Sequence, residues 1–205
     1  NQVPGCSVEI ERLFVQSGFP PAIFTSLLID AEQVKQIIPD VQAVSLTGSV
    51  NAGRNVAQYA GKHLKKIVLE LGGTDPFVVL DDADLSFASQ YAVKSRFLNA
   101  GQSCIAAKRF IITKKQIKEF TKLVIEATKK LVVGDPLDSR TQIGPLANKK
   151  QLLALEQQIR RTIRAGAVVA CGGKKIEIKG FFFEPTILTN VTSAMPVMQE
   201  EIFGP

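Results

Sequence analysis

The sequence predicts an α/β fold built on a parallel sheet, and three observations carry that expectation. Segments with apolar residues at helical spacing alternate with short apolar runs, giving the order strand, helix, strand, helix, strand over the first 71 residues. Glycines follow the strand-like runs at Gly48 and Gly72-Gly73, where such sheets turn toward helices and new material. Hydrophobic residues make up 45% of the 205, enough for a real core, so intrinsic disorder is excluded.

The elements follow in order. Residues 8–16 place Val8, Ile10, Leu13 and Phe14 at helical spacing and stop at Gly18, a helix-ending residue. Residues 22–29 are a short apolar run that reads as a buried strand. Asp30 with Gln33 resembles a capping box, opening a helix through Ile38 that ends before Pro39. Residues 41–47 read as a strand, Gly48-Ser49 as a turn, residues 51–62 as a helix and residues 67–71 as a strand. Beyond Gly72-Gly73 come a strand at 77–80, a helix at 83–97, a strand at 105–113 and a long helix from 115 to 133. Gly134-Asp135-Pro136-Leu137-Asp138 to Pro145 is a loop of turn residues. Residues 149–165 are helical, residues 167–170 form a strand bounded by Gly172-Gly173, residues 181–189 are strand-like, and the last residues are irregular. The Gly72-Gly73 pair marks the natural boundary, predicting domains at 1–72 and 73–205.

Composition removes several function classes. No window approaches 18 uninterrupted apolar residues, and Asn1-Gln2-Val3-Pro4-Gly5 has no basic segment followed by an apolar run, so neither a membrane span nor a secretory leader is expected. The net charge is +6 and lopsided: residues 1–100 carry 8 basic and 10 acidic side chains, residues 101–205 carry 17 and 9. The excess is spread along helical stretches with no RNA-binding aromatic signature, which reads as a solvated basic face and not a nucleic-acid site. His63 is the only histidine and lies among lysines, a surface position. Cys6, Cys104 and Cys171 are odd in number and far apart, suggesting neither a disulfide framework nor a metal site, and fitting a reducing, cytoplasmic setting.

Three places can carry chemistry, each with a bland alternative. Thr47-Gly48-Ser49 precedes a helix, with Gly53 following, and small residues there let a phosphate approach the backbone N–H groups at the helix's positive end; a tight turn explains the same glycine. Cys104 ends the turn segment Asn99-Ala100-Gly101-Gln102-Ser103, where a lowered thiol pKa would make a nucleophile; the alternative is a buried structural cysteine, the reading that Cys6 and Cys171 keep. Glu70 lies in Val68-Leu69-Glu70-Leu71, where burial would raise its pKa and suit it as a general base; the alternative is a strand residue facing solvent.

Taken together and in register, Leu69-Glu70-Leu71-Gly72-Gly73, Gly101-Gln102-Ser103-Cys104 and Glu201-Ile202-Phe203-Gly204-Pro205 resemble the signatures of the NAD(P)-dependent aldehyde dehydrogenase superfamily. Gly18-Phe19-Pro20-Pro21 and Thr47-Gly48-Ser49 resemble its cofactor domain. The resemblance implies a parallel-sheet aldehyde dehydrogenase-like fold, with the later part of a Rossmann-type NAD(P)-binding domain at 1–72 and the first part of an α/β catalytic domain at 73–205. It implies Cys104 as nucleophile, Glu70 as base for the hydrolytic water, Gly48 and Ser49 as pyrophosphate contacts, Leu71 as a further cofactor contact, Glu201 as ligand of the nicotinamide ribose and Phe203 as a wall against the nicotinamide. It further implies NAD or NADP as cofactor, a small aldehyde as substrate, and a homo-oligomeric (dimeric or tetrameric) parent.

The resemblance covers about the middle two-fifths of a family subunit. The upstream Asn that gives a second oxyanion donor, the adenosine-ribose Lys and the C-terminal strands have no counterpart, so the 205 residues alone are expected to be inactive. Leu98 stands where one succinate-semialdehyde branch has Arg. Asp75-Pro76-Phe77 and Ala106-Ala107-Lys108-Arg109-Phe110 resemble another branch acting on succinate semialdehyde, which makes that substrate the expectation. Two rivals stand beside it: a CoA-acylating enzyme on the same fold, disfavoured by Glu70, and an inactive fragment acting only as a binding module.

Overall fold

The computed structural model describes residues 3–205, and the chain divides into two units, one ending at Leu71 and one running from Gly72 to Pro205. In the first, Pro4 opens α1 (Pro4–Gln16) at a helical position where a missing N–H costs nothing. Phe14 of α1 stacks on Phe24 and meets Phe19 at a tilt, with ring centroids 5.2 Å away in both pairs. The run 22–29, expected as a strand, is turn and irregular backbone. Ala22 takes a φ of 67° directly after Pro20-Pro21 and breaks the extended run, and Ile23, Leu27 and Leu28 stay exposed. Asp30 caps α2 (Ala31–Ile37) through a reciprocal box: its carboxylate accepts from the Gln33 N–H at 2.9 Å, and the Gln33 side-chain oxygen accepts from the Asp30 N–H at 3.0 Å. Pro39 does not stop the turn but sits in the first turn of a 3-10 segment, Ile38–Asp40, where its absent N–H is not needed.

Strand β1 (Ala43–Gly48) and strand β2 (Lys66–Leu71) pair in parallel and are joined by α3 (Val50–Lys62), a β-α-β unit. Thr47 lies opposite Glu70 and Gly48 opposite Leu71. A Cβ at Gly53 would stand 2.7 Å from the Leu71 methyl groups, so the glycine lets α3 lie close against β2.

In the second unit, β3 (Asp75–Val79) and β4 (Ala107–Ile112) also pair in parallel, connected through α4 (Leu85–Phe97), whose N-cap Asp84 accepts from the Phe87 N–H. Phe120 and Val124 of α5 (Ile117–Lys129) close one core with Val79, Ala92, Val93 and Phe97. This helix stops short of the expected residue 133 because Val132 and Val133 are used elsewhere: the Val132 carbonyl accepts from the Gln142 and Ile143 N–H groups, and Val133 bridges Ile143. A second core gathers Leu152, Leu155 and Ile159 of α6 (Lys149–Arg164) with Leu146, Phe183 and Val197. β5 (Val168–Cys171) pairs antiparallel with β6 (Ile187–Thr189), so the parallel arrangement does not extend to this pair. The expected strand 181–189 shrinks to its last three residues; Pro185 has no N–H to give a ladder. The tail, expected to be irregular, includes α7 (Pro196–Gln199), again with proline in its first turn.

Candidate active site

Helix α4 buries a stripe at i, i+3, i+4, i+7 and i+8: Ser89, Ala92, Val93, Arg96 and Phe97. Arg96 therefore enters the interior and is 6% exposed. Its guanidinium donates to the carbonyls of Ala107 at 3.3 Å and Gly101 at 3.4 Å, and to that of Gly204. Burial pulls its pKa down to about 10. One buried cation thus ties together α4, strand β4, the loop before Cys104 and the terminal Glu-Ile-Phe-Gly-Pro segment.

That loop is strained and braced. Asn99, Ala100 and Gly101 hold φ of 52°, 55° and 71° in succession, left-handed conformations that cost a non-glycine residue about 1–3 kcal/mol each. Gly101 has no room for a side chain, since a Cβ would overlap the Gly204 carbonyl and meet the Arg96 guanidinium. Gln102 is the brace: its amide nitrogen donates to the Asn99 and Pro145 carbonyls, and its amide oxygen accepts from the Ala147 N–H at 2.9 Å. Cys104 follows, exposed, in the turn leading to β4, so the alternative of a buried structural thiol does not hold there. Its backbone N–H has no acceptor among the described residues.

Lys108, in β4, folds back on this turn. Its side chain is fully buried, donates to the Cys104 carbonyl at 2.7 Å, and lies 3.9 Å from a Glu201 carboxylate oxygen. Burial lowers its pKa, opposed by the charges of Glu201 and Asp75. The Glu201 carboxylate occupies the space where a side chain at Gly72 would stand, which gives that glycine a steric reason. Arg109 donates to the Thr74 carbonyl at 2.6 Å and so fastens the Gly72-Gly73-Thr74 turn to β4. Phe203 is exposed, and its carbonyl accepts from the Gln151 side chain at 2.9 Å.

The remaining predicted residues lie in the first unit. Ser49 is the N-cap of α3, its hydroxyl oxygen accepting from the Ala52 N–H at 3.2 Å. The helix offers no acceptor to the Val50 and Asn51 amides. Gly48 is open, with nothing closer than 3.9 Å to the place of a Cβ, whereas Gly53 serves helix packing and not an anion. A groove of about 820 Å³ runs between α2 and α3, flanked by Glu32, Lys35, Ser49, Asn55 and Tyr59. Glu70 is exposed, so the burial considered for it is not supplied within its unit; β2 alternates, and Glu70 falls on the outward phase. Leu71 is half-buried against Gly53. Cys6 is exposed, against its reading as a buried structural residue, because α1 buries none of its residues; Cys171 is half-buried. His63 caps α3 beside the Tyr59 ring.

Sequence reasoning passed over Arg96, Gln102 and Lys108 as working parts. A signal existed for Arg96, a cation on a helical stripe that is otherwise uncharged. Gln102 and Lys108 lie inside quoted motifs, but nothing local encodes their contacts with Pro145 and Glu201, which join distant segments.

The family model of the aldehyde dehydrogenase family matches residues 1–205. Over 207 aligned residues the chain is 44% identical to a probable succinate-semialdehyde dehydrogenase [NADP(+)] of Synechocystis sp., covering 100% of this chain and 46% of that protein. It is likewise 44% identical to a succinate-semialdehyde dehydrogenase [NADP(+)] of Mycobacterium leprae, covering 100% of this chain and 45% of the relative. The solved succinic semialdehyde dehydrogenase of Streptococcus pyogenes, in complex with NADP+, superimposes with a TM-score of 0.95 at 39% identity, over 98% of this chain and 45% of that one. The chain therefore spans a little under half the length of the curated relatives it matches. It belongs to the aldehyde dehydrogenase family.

Proposed function

We propose that the whole protein oxidises an aldehyde to a carboxylic acid with NADP+ or NAD+, and that its substrate is a short aldehyde bearing a remote carboxylate, such as succinate semialdehyde. The observation that carries this reading is Cys104: an exposed thiol at the end of a strained, braced loop, beside a backbone N–H with no acceptor among the described residues. In this reading residues 1–72 are the later part of the cofactor domain and residues 73–205 the first part of the catalytic domain. The names of the Synechocystis and Mycobacterium leprae relatives support both the substrate and a preference for NADP+.

The residues fit a dinucleotide. Gly48 leaves its backbone open to a phosphate, the first amides of α3 and the positive end of that helix face an anion, and the groove between α2 and α3 has room for the end remote from the reaction. When bound, the nicotinamide supplies the hydride acceptor. Glu201 would hold the adjoining ribose, and Phe203 would offer its ring as a wall. The Cys104 sulfur adds to the carbonyl carbon, and the oxygen, now negative, accepts from the Cys104 N–H. Departure of hydride from the same carbon restores the C=O bond as a thioester on Cys104. Glu70 takes a proton from water, the water oxygen attacks the thioester carbon, and the C–S bond breaks to give the acid and the free thiolate.

The test is NADP+ and NAD+ reduction by the purified whole protein with succinate semialdehyde and with butyraldehyde, in the absence of CoA. The expected result is reduction with both aldehydes, faster with the carboxylated one, and loss of turnover in Cys104→Ala with the melting temperature unchanged. Substantial activity in the alanine variant would overturn the nucleophile, and strict dependence on CoA would overturn the hydrolytic reading.

A further inference from the structure

We infer that Lys108 is a positioning residue whose single buried ammonium ties the carbonyl of Cys104 to the carboxylate of Glu201, so that nucleophile and cofactor ribose are set by one charge. The inference rests on the proposed roles of Cys104 and Glu201 and adds a residue to which that proposal gives no task.

Four observations support it. The Lys108 side chain is 0% exposed, so its charge cannot be solvated and must be answered by protein groups. It donates at 2.7 Å to the carbonyl of Cys104 itself, which fixes the peptide plane from which the thiol projects. Glu201 Oε1 is buried with no hydrogen-bond partner among the described residues, and Lys108 stands 3.9 Å from it. Gly72 vacates the space that the carboxylate fills, so Glu201 is confined from one side by bare backbone and from the other by the ammonium. The other titratable groups acting on Lys108 are Asp75, Arg96 and Cys104, and of these only Arg96 is a cation, held by three carbonyls. Without Lys108, the buried side of Glu201 loses its counter-charge and the carboxylate swings toward water.

Two substitutions separate the two ties. Lys108→Gln keeps a donor within reach of the Cys104 carbonyl but removes the charge, whereas Lys108→Met removes both. In the whole protein, Lys108→Gln is expected to weaken NADP+ binding about tenfold by calorimetry while the rate of Cys104 alkylation by iodoacetamide, measured without cofactor, stays within about twofold; Lys108→Met is expected to change both. Lys108→Arg should restore NADP+ affinity to within about threefold of the parent, since it returns the charge. Lys108→Gln in the Glu201→Gln background should weaken NADP+ no further, because Lys108 acts through Glu201. Unchanged NADP+ affinity in Lys108→Gln, or effects of Lys108 and Glu201 that multiply, would overturn the inference. If Lys108→Met does not fold, the Gln and Arg variants carry the test alone. Failure of the functional reading looks different: the unsubstituted protein then shows no aldehyde-dependent reduction of NADP+, while the alkylation comparison still reports on the tie to Cys104.

Discussion

Replacing Gly101 with alanine should be among the most damaging single-methyl additions available to the second unit. The backbone there has φ of 71°, and left-handed geometry costs an alanine about 1–2 kcal/mol. The new Cβ would overlap the Gly204 carbonyl, which is backbone and cannot rotate aside, and overpacking of that kind costs about 1–3 kcal/mol. The displaced carbonyl is also an acceptor of Arg96, and a hydrogen bond to a charged group contributes about 1.5–3 kcal/mol. One movement relieves part of all three, so the sum is not additive, and a loss of about 3–5 kcal/mol is expected. Gly61→Ala is the control. Gly61 lies in α3 with nothing within 4 Å of the added carbon, and there the same methyl should stabilise by about 0.5–1 kcal/mol. The assay is urea unfolding of the purified protein followed by circular dichroism. A loss below about 1 kcal/mol in Gly101→Ala, or equal losses in the two variants, would refute the claim that the loop and the chain end are packed backbone against backbone.

Glu70→Gln should slow thioester hydrolysis more than hydride transfer, so single-turnover kinetics would show a burst of reduced cofactor followed by a slow steady state; loss of the burst with Cys104 still alkylatable would contradict the assignment. The 205-residue chain alone should bind NAD+ and NADP+ poorly and turn over little aldehyde; micromolar binding by calorimetry together with steady oxidation would contradict this. Arg161 holds the Glu200 carboxyl below its usual 4.5 through a hydrogen bond of 2.8 Å. A depressed folded pKa stabilises at pH values above the unfolded pKa, and the benefit fades as pH falls through the folded one, so Arg161→Ala should lower stability slightly at neutral pH and not at all once Glu200 is protonated in both the folded and the unfolded chain; urea midpoints across that range provide the check.

What the sequence disclosed was governed by the range of the interaction. The capping box of Asp30 and Gln33 spans three residues and was legible in full, as were α3, α4 and the β-α-β order. Residues 22–29 misled because an apolar run encodes a preference for burial, while a strand also needs a neighbouring backbone to pair with. Pro185 could have shortened the strand expected at 181–189, since proline cannot donate to a ladder. At the candidate site, Cys104 and Glu201 were singled out through their motifs. The links between them were not, because Arg96 meets Gly204 across 108 positions and Lys108 meets Glu201 across a comparable span, and no local pattern encodes such a contact.

The parallel register of β1 and β2 has a consequence for recombination between relatives. Thr47 and Gly48 leave the sheet beside Glu70 and Leu71, so the turn proposed to face an anion and the carboxylate proposed to activate water stand on one ledge made of two strands. Gly53 and Leu71 interlock across the helix that joins those strands. The stretch from Ala43 to Leu71 is therefore a cassette. A crossover at either end of it transfers turn, helix and carboxylate together, whereas a crossover inside α3 would pair one parent's Gly53 with the other's residue at 71 and shift the ledge that carries both proposed roles.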